Sequence, residues 1–272
     1  MSAWPMATRE ELEQYCRSRA TAVFVGNQTL LCRVLGRFAF YADAEDFQIV
    51  PNLVLDGFWE AWNTLAILRH VRPGAHAVDV GANHGYFTLL LAELVGPRGH
   101  VFAFEPNPRL FELLERNVRV NGFERQVTLV PAAAAAHEGE GTLTVDRQRS
   151  GEGSLLRARG GEGSAFRVPL HRVDEAVAGP IDFLKIDAEG TDYDVLAGAT
   201  GLLQDGRASV LIEHHSAFHA DPGARLRGLQ TSGFRLAHVG DDGEVADIGV
   251  DDVLGDHRRF WSLWLTRGQG TD

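Results

Sequence analysis

From about Pro73 onward, short apolar runs alternate with stretches whose apolar positions recur at helical spacing. That is the pattern of strands joined by crossover helices in a mostly parallel sheet. AHAVDV is the first predicted strand, YFTLLLAELV a helix that stops at Gly96-Pro97, and HVFAFE a second strand. In PRLFELLERNVRVNGF the residues Leu110, Leu113, Leu114 and Val118 fall on one helical face, and Asn121-Gly122 supplies a left-handed stop. QVTLVPAA, DFLKID and SVLIEHH are further strands, with TDYDVLAGATGLL an amphipathic helix between the last two. FRLAHV, the turn DDGE and RRFWSLWLT read as a final strand pair, antiparallel and laid on the edge of the parallel sheet. The expected class is therefore α/β and Rossmann-like.

Two regions depart from this pattern. Residues 1–72 form an extension with a helix, strand-like runs (LLCRVL, FAFYA) and the aromatic segment GFWEAW; Thr8 and Glu11 are spaced as a capping box. Residues 137–165 are rich in Gly, Arg and Glu, which predicts a flexible hairpin or lid. The expected organisation is a cap extension over 1–72 and a main domain over 73–272 carrying that insert. No internal repeat is present.

Composition narrows the function. The 272 residues carry 26 Lys and Arg against 37 Asp and Glu, a net charge of -11. Such a surface repels phosphate backbones and anionic lipid, so neither nucleic acid nor membrane is an expected partner. Cys16 and Cys32 lack metal-ligand spacing and read as reduced thiols. With no basic-then-apolar start and no apolar run long enough to span a bilayer, a cytoplasmic protein is expected.

The stretch VDVGANHGYF carries the chemistry: a strand runs into a glycine turn and opens a helix. A dinucleotide fingerprint places glycines at positions one, three and six. Here Gly81 and Gly85 flank Asn83, the last glycine comes one residue early, and Asp79 precedes the first. A pyrophosphate needs bare N–H groups with no carboxylate nearby, whereas an amino-acid moiety bearing an ammonium group tolerates or wants one. D-x-G-x-x-x-G thus favours S-adenosylmethionine over NAD. Glu105, closing HVFAFE, can accept two hydrogen bonds from the ribose hydroxyls of either.

These segments, with EPNP at Glu105–Pro108, KIDAEG at Lys185–Gly190 and LIEHH ending at His215, resemble the FkbM-type family of S-adenosylmethionine-dependent methyltransferases, and DGFWEAWNT resembles its lead-in. The resemblance implies a class I methyltransferase fold and O-methylation of a small molecule such as a sugar or polyketide-type product. It implies that Asp79, Gly81, Ala82, Asn83, Gly85 and Tyr86 line the methionine and ribose. It places Glu105, Pro106 and Asn107 at the ribose and adenine, and Ala132 and Ala133 at the adenine edge. It also brings Glu60 over the cofactor to meet the methionine ammonium. His84 and Thr191-Asp192 depart from the family pattern and could alter the substrate mouth.

Methyl transfer needs alignment and a base near the incoming hydroxyl. Asp187, at the carboxyl end of its strand, is the first choice for contact with the methionine head or the acceptor oxygen. Lys185, on the same face, reads as its ion-pair partner or that of a neighbouring carboxylate. His214 and His215 are candidate bases that project to opposite faces, so at most one meets the pocket. Asp187, Glu189, Glu213 and the two His residues could also be a divalent-metal set, but the spacing is not diagnostic and no metal is assigned. Trp59 and Trp62 read as core or lid packing, and Arg147, Arg149, Arg157 and Arg159 as a solvated loop. The residues that hold the donor leave the acceptor atom open, so N-methylation of an amine or peptide amide stands as the alternative. An NAD-dependent oxidoreductase and a catalytically silent binding protein are more distant ones.

Overall fold

The computed structural model describes residues 4, 6–146, 149–155 and 163–268. The chain begins with α1 (Arg9–Arg17), fixed by the expected capping box: the Thr8 hydroxyl accepts from the Glu11 N–H, and the Glu11 carboxylate accepts from the Thr8 N–H. An antiparallel sheet of β1 (Ala22–Phe24), β2 (Thr29–Val34) and β3 (Phe38–Asp43) follows, then α2 (Val50–Leu55) and α3 (Ala61–His70). The alternating region runs β4 (His76–Val80), α4 (Tyr86–Val95), β5 (His100–Phe104), α5 (Pro108–Val120) and β6 (Val127–Val130). A short β7 (Ala133–Ala134) leads to β8 (Gly139–Asp146), β9 (Arg149–Ser154) and β10 (Gly163–His171). After α6 (Val173–Ala176) come β11 (Phe183–Ile186), α7 (Asp192–Gly198), β12 (Ser209–His215), α8 (Pro222–Thr231), β13 (Phe234–Val239), β14 (Val245–Asp247), α9 (Val250–Gly255) and β15 (Phe260–Arg267).

The main sheet has the order β14-β13-β15-β12-β11-β4-β5-β6. Strands β12, β11, β4, β5 and β6 are parallel to their neighbours, and β15 is antiparallel to both β12 and β13. The antiparallel ladder lies at the edge, as the sequence predicts, and within it the last strand is the inner one. Strand order reverses between β4 and β11, which is where α/β sheets open a crevice beyond the strands' carboxyl ends.

Two apolar layers sandwich the sheet. Leu89, Leu90 and Leu91 of α4, Leu114 of α5, Leu65 and Ile67 of α3 and Phe40 of β3 pack on one face. Val195 of α7, Leu226 of α8 and Val253 of α9 pack on the other. Val78 and Val80 belong to the second layer, so Ala77 and Asp79 point to the first. No helix among the described residues is long and apolar enough to cross a membrane.

The structure corrects two expectations. The predicted helix TDYDVLAGATGLL stops at Gly198, because the Asp174 carboxylate accepts from the N–H groups of Gly201 and Leu202 and holds them out of the helical ladder. The expected hairpin of the 137–165 insert is present in its described part, but as a regular sheet with an apolar face: β8 pairs antiparallel with β9, and with β10 from Gly139↔Leu170 to Asp146↔Gly163. Leu143, Val145, Val168 and Leu170 alternate inward over Ala133 and Ala135, an apolar stripe that the surrounding glycines and charges mask in the sequence. Arg147, Arg157 and Arg159 lie outside the described residues, as does the Arg149 side chain.

Gly81 (φ 74°) is where the crevice-forming strands touch: a Cβ there would lie 1.9 Å from the Asp187 carbonyl oxygen. Gly122 (φ 75°) has nothing within 4 Å of its Cβ position. Gly122→Ala is therefore expected to cost about 1 kcal/mol, the left-handed backbone penalty alone. Gly81→Ala should cost at least ~2 kcal/mol more through the forced separation of β4 and β11, measured as the difference in urea unfolding between the two variants.

Candidate active site

The glycine turn after β4 is held from below. Gly81 and Ala82 donate their N–H groups to the Phe104 carbonyl (3.1 and 2.9 Å), tying the turn to the end of β5. Asn83 is left-handed (φ 54°) and donates its N–H to Glu105 Oε2 at 2.7 Å; Asn107 donates its N–H to Glu105 Oε1 at 2.8 Å. One carboxylate thereby aligns the two loops at the carboxyl ends of β4 and β5. Burial pushes Glu105 up to about 7, against the pull of those two N–H groups. Gly85 starts α4 at φ 98°, with Leu114 packed where its Cβ would be. Asn107 caps α5 by accepting from the Arg109 N–H at 3.1 Å.

A cleft open to solvent lies over this junction. Val80, Gly81, Asn83 and Asp187 form its floor, and Glu105, Pro106 and Asn107 one wall. Ala132 and Ala133 form an apolar slot lined also by Leu143 and Gly153 of the small sheet and by Leu155 just after β9. Parallel pairing of β7 with β10, Leu170↔Ala133 and His171↔Ala134, fastens that sheet to the slot. A second pocket continues past Gly81 and Asn83 to Tyr86, Phe87, Trp59, Lys185 and Asp187 under the N-terminal segment.

At this junction sits one buried cation among carboxylates. The Lys185 Nζ is 3.3 Å from Asp187 Oδ2 and 3.7 Å from Asp79 Oδ1, with its side chain 4% exposed. Burial alone would lower its pKa, but Asp187, Asp79 and Glu60 outweigh that and hold the ammonium above its ordinary range. Asp79, fully buried, is raised by desolvation; its Oδ2 accepts from the Thr88 hydroxyl at 2.7 Å, while its Oδ1 has no hydrogen-bond partner. Glu60, left-handed at the N-cap of α3 (φ 40°), accepts from Asn63 Nδ2 at 2.7 Å and is pushed up to about 7 by burial and by Asp187. Asn63 Oδ1 is a second buried acceptor without a donor.

The other sequence candidates separate cleanly. His214 is fully buried in the second layer, its Nδ1 2.8 Å from the Tyr193 hydroxyl and its Nε2 3.2 Å from the Ser216 hydroxyl. Burial pushes it down to about 4, so the candidate base His214 is a neutral structural residue facing away from the cleft. His215, on the cleft side, has its ring against Phe260 and Phe218 at 4.1 and 4.6 Å. Glu213 shares that face and is pushed up to about 9 by burial and then by Asp187, Glu60, Asp192 and Glu189. His84 is buried and lines the second pocket, accepting at Nε2 from the Asp43 N–H at 3.1 Å. Trp62 donates to the Ser262 hydroxyl at 3.2 Å, a packing role, whereas Trp59 lines the second pocket. Among the described residues no His, Cys, Asp and Glu group is arranged to hold a metal ion.

Asp192 stands out in the sequence as a departure from the family pattern, while other participants carry no sequence signal of their own. Asp192 accepts from the N–H groups of Ala188 and Gly190 (2.9 and 3.1 Å) and so shapes the loop after β11. Thr88 and Asn63 matter through partners brought together by packing, and Leu143 and Leu155 through the register of the insert.

Residues 79–236, more than half of the chain, match the model of the methyltransferase FkbM domain. The chain belongs to the FkbM methyltransferase family. Among curated proteins this FkbM chain is 31% identical to a protein-L-isoaspartate O-methyltransferase of Caenorhabditis elegans over 130 residues, 44% of this chain and 55% of that one. It is 31% identical to a demethylmenaquinone methyltransferase of Symbiobacterium thermophilum over 87 residues, 32% of this chain and 35% of that one. The FkbM chain thus spans about half or less of the length of these curated relatives. In three dimensions it is similar to a Clostridium thermocellum protein proposed to be an rRNA methylase (TM-score 0.50, 15% identity, 76% of this chain and 94% of that one), a likeness of fold.

The site's electrostatics set the pH response of the ligand-free protein. For Glu60, Glu105 and Glu213 the folded pKa lies above the unfolded one, so folding takes up protons and stability is lost as pH rises through about 7 and then about 9. His84 and His214, both pushed down to about 4 by burial, act oppositely and lose stability as pH falls below 6.5. Above the ordinary glutamate value of 4.5 the three glutamates outweigh the two histidines, so the melting temperature is expected to fall as pH rises from about 5 to 9, most steeply between 6.5 and 7. Lys185→Met, which strands Asp79, should cost about 3–5 kcal/mol at pH 7 by chemical denaturation.

Proposed function

We propose that this chain is an S-adenosylmethionine-dependent methyltransferase that methylates a hydroxyl of a small biosynthetic molecule, of sugar or polyketide type. The observation that carries the reading is the polarity gradient of the crevice. It begins at an apolar slot (Ala132, Ala133, Leu155), passes a carboxylate fixed by two N–H groups (Glu105), and ends at carboxylates in excess of their one lysine. Adenine, a ribose diol and a cationic methionine head present the complementary order of groups. Asn63 Oδ1, a buried acceptor without a donor, fits a ligand that brings donors. A dinucleotide would bring a pyrophosphate to the same place, against Asp79 and Asp187.

When bound, the donor supplies a methyl group on positively charged sulfur. The protein's own residues do the rest. Glu105 accepts from the ribose hydroxyls, Ala132 and Ala133 meet the adenine edge, and Gly81, Ala82, Asn83, Gly85 and Tyr86 line the turn under ribose and methionine. Glu60 and Asp187 face the cationic head. Residues 1–72 act as the cap on the acceptor side, and the small β8–β10 sheet closes the adenine side. The acidic wall of Glu60, Asp187, Glu189 and Glu213 disfavours phosphorylated or otherwise anionic acceptors. Transfer to oxygen is supported by the named reaction of the Caenorhabditis elegans relative, and the buried free thiols Cys16 and Cys32 accord with a reducing cytoplasm.

S-adenosylhomocysteine at about one hundred times its Kd should stabilise the protein by about 2.7 kcal/mol, a shift of several degrees in a thermal melt, while NADH leaves the melt unchanged. A shift with NADH instead overturns the reading. Glu105→Ala should weaken S-adenosylhomocysteine binding on the order of 10–100-fold by calorimetry. The acceptor is identified by a screen with labelled methyl donor and location of the new methyl by mass spectrometry and NMR.

A further inference from the structure

We propose that Glu213 is the base that takes the acceptor's proton, and that the positive charge of the methyl donor is what puts it into its basic form. The proposal rests on the donor assignment above and concerns a residue of β12, one strand beyond the donor crevice.

The placement comes from the sheet. Ile186 pairs with Ile212 in the parallel β11–β12 ladder, so the next residues, Asp187 and Glu213, stand side by side at the strands' ends, about 4.8 Å apart in backbone spacing. Ile212 and His214 point into the second layer and Leu211 into the first, so Glu213 shares with Lys185 and Asp187 the face covered by the N-terminal segment.

The charged groups around it are almost all of one sign. Asp187 faces it from β11, Glu60 from the start of α3, and Glu189 and Asp192 from the loop and helix after β11. Lys185 lies two residues down the neighbouring strand and is spoken for by Asp187 and Asp79. His215 is two residues on along β12, and the partner directly opposite on β15 is the uncharged Ser262. In that company the Glu213 carboxyl keeps its proton to about pH 9. A cation placed among these acids favours its release. Of the other candidate bases, Asp187 is engaged by the Lys185 ammonium, His214 is turned into the opposite layer, and the His215 ring is packed against Phe218 and Phe260.

The step balances in charge. Glu213, ionised, takes the hydroxyl proton as the acceptor oxygen's lone pair forms the bond to the methyl carbon, and the carbon–sulfur electron pair leaves with the sulfur. A carboxylate and a sulfonium become a carboxylic acid and a thioether, so the step extinguishes both charges inside a low-dielectric crevice. Glu213 is left in the protonated form it holds without the donor, and its proton returns to solvent when the next donor binds.

The test counts protons. S-adenosylmethionine and S-adenosylhomocysteine differ at the sulfur by one methyl and one positive charge. Calorimetric titration of the ligand-free chain at pH 8, in buffers of contrasting ionisation enthalpy, should show up to one more proton released on binding the sulfonium than on binding the thioether. The difference should vanish in Glu213→Gln, with the variant's thermal melt confirming its fold. As pH is lowered from 8 to 7, the sulfonium's affinity relative to the thioether's should weaken up to tenfold. Equal proton counts with both ligands, or a difference that survives in Glu213→Gln, overturn the assignment. Failure of either ligand to bind overturns the donor reading instead.

Discussion

A single ammonium, that of Lys185, is buried where the two halves of the sheet diverge, and its carboxylate partners come from different parts of the chain. Asp79 arrives from β4, Asp187 from the end of the lysine's own strand β11 and Glu60 from the segment before the sheet. A buried charge is tolerated only when paired, so this lysine obliges β4, β11 and the start of α3 to meet. The crevice is the by-product of that meeting. Because the acids outnumber the lysine, the unliganded site is short of positive charge, and burial with the neighbouring acids raises the Glu60 and Glu213 carboxyls above their ordinary range.

The close approach demands a residue without a side chain, which is why Gly81 stands against the Asp187 carbonyl. Its conservatively read role, freedom for a nucleotide, is joined by a packing one. Glu105 plays the matching part on the other side, ordering the turns after β4 and β5 with its two N–H contacts. The small sheet beside Ala132 and Ala133 and the helix start at Glu60 then bound the crevice at its two ends, apolar at one and acidic at the other.

What the sequence disclosed and what it concealed divide by the range of the interactions. Helix limits set by local chemistry, such as the Thr8–Glu11 box and the Asn121-Gly122 stop, are written in adjacent residues, and so is the Asp79–Gly81–Gly85 turn. The order of the insert was concealed because its apolar positions, Leu143 and Val145, alternate among glycines and become a core only against Val168 and Leu170. His214 and His215 differ by one step of strand alternation, and only the partners Tyr193 and Ser216 reveal which is turned inward. Glu213 reads in the sequence as one member of an undiagnostic acidic set. Its distinction lies in which acids surround it, a property of the folded charge distribution alone.

The most direct measurement is a crystal structure of the chain with S-adenosylhomocysteine. The account predicts the ribose hydroxyls on Glu105, the adenine between Ala132–Ala133 and Leu155, and the methionine ammonium toward the carboxylates around Lys185. A nucleoside bound away from the β4–β11 crevice, or lying in it with its amino-acid end at the alanine slot, would contradict it.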